Sequence, residues 1–238
     1  MMLFLRSLAF NIVLFGVGIG LSLWIRIVTH NKGPAHVTRM GQLWARISLR
    51  ALRRLCNIQI DIQGREYLPK SGPALIAAQH QSAFDILLWL TLLPDPCYVL
   101  KQELVQIPVL GALLPQAGFV AVDREGGAGS LRKMVAECRA AQSLGRQILI
   151  FPEGTRVAPG ERATIHPGVV ALARGLKLPV IPASTDSGRY WGKHAFKKYP
   201  GTLHVTIYPA AGETAERRDL IQQLQERYYG DPVDNSVR

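Results

Sequence analysis

The chain has 238 residues, enough for one sizeable core without metals or disulfides, which excludes the small stapled scaffolds. Its 48% hydrophobic and 19% charged residues are too apolar for disorder, while a mean hydropathy of +0.10 is too low for a polytopic membrane protein. A formal net charge of +11 points to a polyanionic partner, and where that charge sits decides which one.

Residues 1–60 carry eight bases, Arg6, Arg26, Lys32, Arg39, Arg46, Arg50, Arg53 and Arg54, and no acid before Asp61. The basic character therefore belongs to an N-terminal extension. Between Arg6 and Arg26 run nineteen uncharged residues, Ser7 to Ile25, whose helix at about 1.5 Å per residue approaches the ~30 Å of a bilayer core. Only one base precedes this stretch, no A-x-A-like site follows it, and the next segment is basic, so it reads as a retained membrane helix, not a cleaved signal peptide. After Gly33-Pro34, a helical wheel over residues 36–56 gathers Val37, Met40, Trp44, Ile47, Ala51 and Leu55 on one face and Arg39, Arg46, Arg50, Arg53 and Arg54 on the other. That is the pattern of a helix lying in the headgroup layer, each Arg gaining about 1 kcal/mol against anionic lipid. The alternative is a helix that packs Val37 and Trp44 on a globular core with its arginines solvated. Nucleic acid is disfavoured as a partner, because no base-reading motif occurs in the chain.

From residue 57 onward, short β-rich runs alternate with helical periods: 58–63, 74–79, 97–101, 119–123, 147–152, 179–184 and 203–208 read as strands, and 83–93, 130–144, 169–175 and 214–229 as helices. This predicts an α/β domain with a mixed, mostly parallel sheet flanked by helices, preceded by an N-terminal membrane-associated helical pair. The expected divisions are 1–56 for the membrane-associated helices, 57–230 for the α/β domain and 231–238 for a polar tail. Cys56, Cys97 and Cys138 are odd in number and set among apolar neighbours, which fits buried reduced thiols in a cytosol-facing domain.

Ligands of such sheets collect beyond the carboxyl ends of the strands. The run at 74–79 is followed by His80-Gln-Ser-Ala-Phe-Asp85, in which a histidine can take a proton near neutral pH and a carboxylate can fix its tautomer. Ser82 with Asp85 is equally a capping box for the next helix, and the two readings are compatible. Lys101 ends the next run beside Glu103, and Arg124 leaves the run Gly118 to Val122. The most informative strand end is Phe151-Pro-Glu-Gly-Thr-Arg156, where an acid, a glycine permitting close backbone approach, a hydroxyl and a guanidinium occur within four residues. With the other cation-bearing strand ends it suggests a phosphate pocket.

Taken in order, HQSAFD, GFVAVDR, FPEGTR and VIPA (180–183) resemble the four blocks of the lysophospholipid acyltransferases of the 1-acyl-glycerol-3-phosphate acyltransferase type. The resemblance covers roughly 57–210. Gln79 stands where that family often has Asn, and His166-Pro-Gly where a basic residue often precedes the glycine. The resemblance implies a glycerolipid acyltransferase fold and transfer of a fatty acyl group from acyl-CoA or acyl carrier protein to the free sn-2 hydroxyl of lysophosphatidate. It further implies His80 as base, Asp85 as its orienter, and Lys101, Arg124, Glu153, Gly154, Thr155 and Arg156 as the lining of the phosphate and glycerol pocket. Alternatives are another acceptor, such as glycerol 3-phosphate, a different lysophospholipid or a lyso-aminolipid, and a non-enzymatic membrane-binding module.

No G-x-S-x-G elbow is present, so direct attack of the acceptor hydroxyl on the thioester is the simpler mechanism, with helix-start N–H groups for the oxyanion. It needs no metal and no cofactor. The expected partners are the acyl thioester donor, the lysophospholipid and the membrane, and the expected location is the inner (cytoplasmic) membrane with the catalytic domain facing the cytosol.

Overall fold

The computed structural model describes residues 1–29, 32–211 and 217–230. The expected polar tail and residues 214–216 of the last expected helix lie outside them. Seven strands, β1 (Ile58–Gln63), β2 (Ala74–Ala78), β3 (Pro96–Lys101), β4 (Val120–Val122), β5 (Gln147–Ile150), β6 (Val180–Thr185) and β7 (Gly201–Ile207), form one sheet in the order β1-β7-β6-β2-β5-β3-β4. Every neighbouring pair is parallel except β6 with β7, so the sheet is mixed and mostly parallel.

The central strand β2, Ala-Leu-Ile-Ala-Ala, is buried at every position, as a strand covered on both faces must be, and this is why its sequence is a continuous apolar run. Its alternation assigns the two layers. Ile76 and Ala78 join Leu52, Phe84, Leu88, Trp89 and Leu203 on one side, while Leu75 and Ala77 join Cys138, Ile148, Val169, Leu172 and Leu224 on the other. The first layer is made by α1 (Met2–Val28), α2 (Pro34–Cys56) and α3 (Ala83–Leu92), the second by α5 (Gly127–Ser143), α6 (Gly168–Leu176) and α7 (Arg217–Tyr229). The short α4 (Leu113–Gln116) was not evident in the sequence, and α5 starts before the expected Ser130.

The N-terminal pair corrects one expectation. The expected apolar face of α2 does not lie free for lipid: Val37 is buried, and Met40, Trp44, Ala51 and Leu55 pack half-buried against the body. The fully buried Ala45, Leu52 and Cys56 lie alongside them, and Trp44 donates its indole N–H to the Leu14 carbonyl of α1 at 2.8 Å. The alternative reading, a helix packed on the core with Arg39, Arg46, Arg50, Arg53 and Arg54 exposed, is the one observed. Nor is α1 uniform around its axis. Ser7, Phe10, Leu14, Ser22 and Ile25 face inward, and Gly18 leaves room for Trp44, whose Nε1 would stand 3.0 Å from a Cβ placed there. Outward, Phe4, Leu8, Ile12, Phe15, Ile19 and Leu23 form an exposed apolar stripe at helical spacing. Phe10 and Leu14 share one core with Ile76 and Leu203, so the helices are part of the folded body.

Candidate active site

Because β6, β2, β5, β3 and β4 are adjacent and parallel, their carboxyl ends gather at one edge of the sheet. That edge brings together Ser187, His80, the turn Phe151–Arg156, Lys101 and Arg124, residues scattered over more than a hundred positions of sequence.

His80 Nδ1 lies 3.0 Å from Asp85 Oδ2. Asp85 is 2% exposed, and its burial is compensated by donors: Oδ2 accepts from the backbone N–H groups of Gln81 and Ser82, both at 2.8 Å, and Oδ1 accepts from Ser187 Oγ at 2.6 Å. The capping box foreseen at Ser82 is present, with Ser82 Oγ accepting from the Phe84 N–H at 3.1 Å. One carboxylate therefore caps α3 and holds the imidazole. Of the expected helix-start oxyanion donors, the N–H groups of Gln81, Ser82 and Phe84 are already committed, which leaves the N–H of Ala83 without a partner among the described residues. Phe151 stacks on the His80 ring at 4.2 Å between centroids, and the described residues offer His80 Nε2 no hydrogen-bond partner.

Glu153, expected in the wall of the acceptor pocket, is turned away from it. It is 2% exposed, accepting the His80 backbone N–H on Oε2 at 2.6 Å and the Tyr229 hydroxyl on Oε1. The physical reason lies in the next residue: Gly154 has φ of 72°, which reverses the chain and directs the acid inward. A Cβ at Gly154 would strike the Arg124 guanidinium and stand 3.0 Å from His166 Cδ2. With the Val157 N–H donating to the His80 carbonyl at 2.8 Å, the turn grips the His80 backbone from both sides.

Burial pushes the Glu153 carboxyl up to about 7 from an ordinary 4.5, against the opposing hydrogen bonds from Tyr229 and His80. Between those values the folded chain holds a proton that the unfolded chain has lost, so the group's contribution to stability is greatest below about pH 4.5 and declines as pH rises toward 7, by about 3 kcal/mol in all. Glu153→Gln should therefore lose less stability than the parent between pH 5 and pH 8 in thermal or denaturant unfolding. Parallel curves for the two proteins would contradict this.

Arg124 donates through Nη1 to the Gly154 carbonyl, and desolvation of that end lowers its pKa, opposed by Glu103. Thr155 is exposed, and its hydroxyl lies 3.4 Å from Lys193 Nζ. Lys101 and Arg156 are partly exposed and have no hydrogen bond or ion pair from their side chains to the described residues, which leaves both cations available at the edge. Ser187 and Tyr229 were missed in the sequence. Asp186-Ser187 directly follows β6, so the rule applied to the other strand ends would have found the serine, whereas nothing local marks Tyr229.

A family model described as Acyltransferase matches residues 59–186. The 1-acyl-sn-glycerol-3-phosphate acyltransferase of Pseudomonas aeruginosa is 32% identical over 186 residues, covering 78% of this chain and 72% of the relative. The protein of the same name from Limnanthes alba is 30% identical over 173 residues, covering 72% and 61%, and the alpha form from Mus musculus is 28% identical over 169 residues, covering 69% and 59%. The alignment thus spans about three fifths of the length of the latter two. In fold, the chain is similar to the crystal structure of the 1-acyl-sn-glycerophosphate (LPA) acyltransferase PlsC from Thermotoga maritima, with a TM-score of 0.69 at 22% identity over 93% of this chain and 92% of that one.

Proposed function

The chain belongs to the acyltransferase family, and on that premise we propose that it moves a fatty acyl group from an acyl thioester, acyl-CoA or acyl carrier protein, to the sn-2 hydroxyl of lysophosphatidate, giving phosphatidate. The observation that carries the mechanism is the 3.0 Å contact of His80 Nδ1 with Asp85. A carboxylate oxygen accepts, so Nδ1 donates and the lone pair is on Nε2, at the edge where Lys101, Arg124 and Arg156 converge. Nε2 takes the proton of the acceptor hydroxyl as its oxygen attacks the thioester carbonyl, and the imidazolium so formed is stabilised by Asp85. Collapse of the tetrahedral intermediate breaks the C–S bond, and the thiolate leaves with the proton that His80 carried. The backbone N–H groups of Thr155 and Arg156, which bond nothing among the described residues, directly precede Val157, whose N–H holds the His80 carbonyl, and this supports them as oxyanion donors.

A direct transfer agrees with the state of the cysteines. All three are buried, and burial raises each thiol, Cys97 to about 11, so none presents a thiolate for an acyl-enzyme. The same reduced thiols favour a cytosolic catalytic domain, and the outward apolar stripe of α1, with the exposed arginines of α2 beside it, supports the reading of an enzyme bound to the inner membrane, where acceptor and product both partition.

Arg156, with Lys101 as second cation and Arg124 and Thr155 beside it, binds the acceptor phosphate. Arg156→Lys keeps the charge but loses the planar fork. Steady-state kinetics with each substrate varied separately should show the acceptor KM raised about ten- to hundredfold, the equivalent of about 1.5 to 3 kcal/mol, with the donor KM little changed. A defect confined to the donor KM would take the Arg156 guanidinium off the acceptor phosphate and contradict the assignment.

A further inference from the structure

The segment that follows Ser187, Gly-Arg-Tyr-Trp-Gly-Lys-His-Ala-Phe-Lys-Lys-Tyr (188–199), lies outside the residues assigned to the reaction above, yet its composition is unusual. It carries four lysines and arginines, one histidine and four aromatics, and no acid occurs between Asp186 and Glu213. It closes on itself, since the Tyr199 N–H donates to the Tyr190 carbonyl at 2.9 Å, and its inner and outer sides differ sharply.

The inner side is fastened to α1. Lys198 is 2% exposed. Its ammonium donates to Asn11 Oδ1 at 2.7 Å and to the carbonyls of Phe196 and Ala195 at 2.8 and 3.3 Å, and it sits 4.7 Å from the Trp191 ring and 5.4 Å from the Phe10 ring. Its backbone N–H donates to Ser7 Oγ at 3.0 Å, and Trp191 meets Phe10 edge to face at 5.2 Å. The polar residues Ser7 and Asn11 in the otherwise apolar α1 are thereby explained: they receive this loop. A buried ammonium held by three oxygens and aromatic faces is a rigid fixture.

The outer side has no partner of comparable kind among the described residues. Phe196 and Tyr199 are 41% and 49% exposed, and Arg189, Lys193, His194 and Lys197 are exposed around them. Phe196 stacks on Phe4 at 5.0 Å, and Phe4 is the first member of the outward stripe Phe4, Leu8, Ile12, Phe15, Ile19 and Leu23. The aromatic patch is therefore continuous with the lipid-facing side of α1, and its rim is cationic.

We infer that residues 189–199 are a second membrane-docking element, in which Phe196 and Tyr199 enter the acyl boundary beside Phe4 while Lys197 and its basic neighbours meet the phosphates of an anionic lipid leaflet. Apolar surface and positive rim together fit that occupant: an acidic protein would use the charge but not the continuous stripe. The inference rests on the reading of α1 as membrane-bound and extends it to a loop that also reaches the site, since Lys193 lies beside Thr155. It would set the rotation of the enzyme about α1 and so turn the sheet edge toward the bilayer.

The test uses the full chain with a fluorophore on Tyr199→Cys, the native cysteines being buried, and vesicles of phosphatidylcholine with or without phosphatidylglycerol. Brominated acyl chains should quench the label, more so with phosphatidylglycerol and less at high salt. Parallel labels at Ile12→Cys and Leu144→Cys separate the possibilities. Quenching at 12 but not at 199 overturns this inference alone, quenching at neither overturns the membrane reading of α1 itself, and equal quenching at 144 shows nonspecific adhesion and contradicts both. A label at 199 that responds to acyl carrier protein in detergent and not to vesicles assigns the surface to a protein partner and overturns the inference. In the unlabelled protein, Phe196→Ser with Lys197→Gln should weaken partition into anionic vesicles by at least about tenfold and leave turnover in detergent micelles within about twofold. Unchanged partition would likewise contradict the inference.

Discussion

His80→Ala should lower kcat by about 10⁴-fold, the upper end of the contribution of a positioned general base, while the protein remains folded. The fold tolerates the change because the turn is held by the His80 backbone, through Glu153 and Val157, and by Asp85 on the N–H groups of Gln81 and Ser82. The imidazole, whose side chain is 13% exposed, adds only its stack on Phe151 and one hydrogen bond to that framework. Purified variant and parent compared by thiol release and by thermal unfolding give the answer. Near-parental turnover in a folded His80→Ala protein would remove the histidine from the mechanism.

Asp85→Asn should cost about 10²- to 10³-fold in kcat, less than loss of the base. The reason is the asymmetry of the carboxylate. Oδ2 faces two backbone N–H groups and His80 Nδ1, so the amide oxygen must occupy that side, and the amide NH2 falls opposite Ser187 Oγ, which can turn to accept. The imidazole keeps its tautomer and loses only the negative charge that stabilises it once protonated. Where an Asp-to-Asn change also forces the wrong tautomer, the loss is about 10⁴-fold. Rates for the single variants would distinguish the cases: a defect in Asp85→Asn as large as that of His80→Ala would mean the tautomer had flipped and the backbone donors do not orient the amide.

Much of this fold can be read from the chain because its central strands are covered on both faces. A run such as Ala74–Ala78 has no polar member to disguise it, and the polar residues that follow mark the ligand edge. His80 and Asp85 are likewise visible, through a spacing that brings a strand end and the first turn of a helix together. What the chain conceals is direction. Glu153 lies in the same turn as Arg156, and only the positive φ of Gly154 sends one inward and the other out. The wheel over α2 separates apolar from basic residues correctly, but periodicity cannot say whether lipid or protein covers the apolar face. In α1, high mean hydropathy hides a stripe of Ser7, Asn11, Gly18 and Ser22 that packs against α2 and the Trp191–Lys198 loop. Tyr229 reaches Glu153 across 76 residues of sequence, a pairing that no local pattern contains.

The central claim is an acyl transfer to lysophosphatidate run by His80 and Asp85. The most direct test is release of free thiol from an acyl thioester by the purified full chain in micelles, with lysophosphatidate, glycerol 3-phosphate, other lysophospholipids and a lyso-aminolipid offered in turn, acyl-CoA and acyl carrier protein each serving as donor. The account predicts thiol release that depends on lysophosphatidate, matches phosphatidate formed mole for mole, and vanishes in His80→Ala. Release that favours another acceptor, or no release with any of them from a folded and membrane-competent protein, would contradict it.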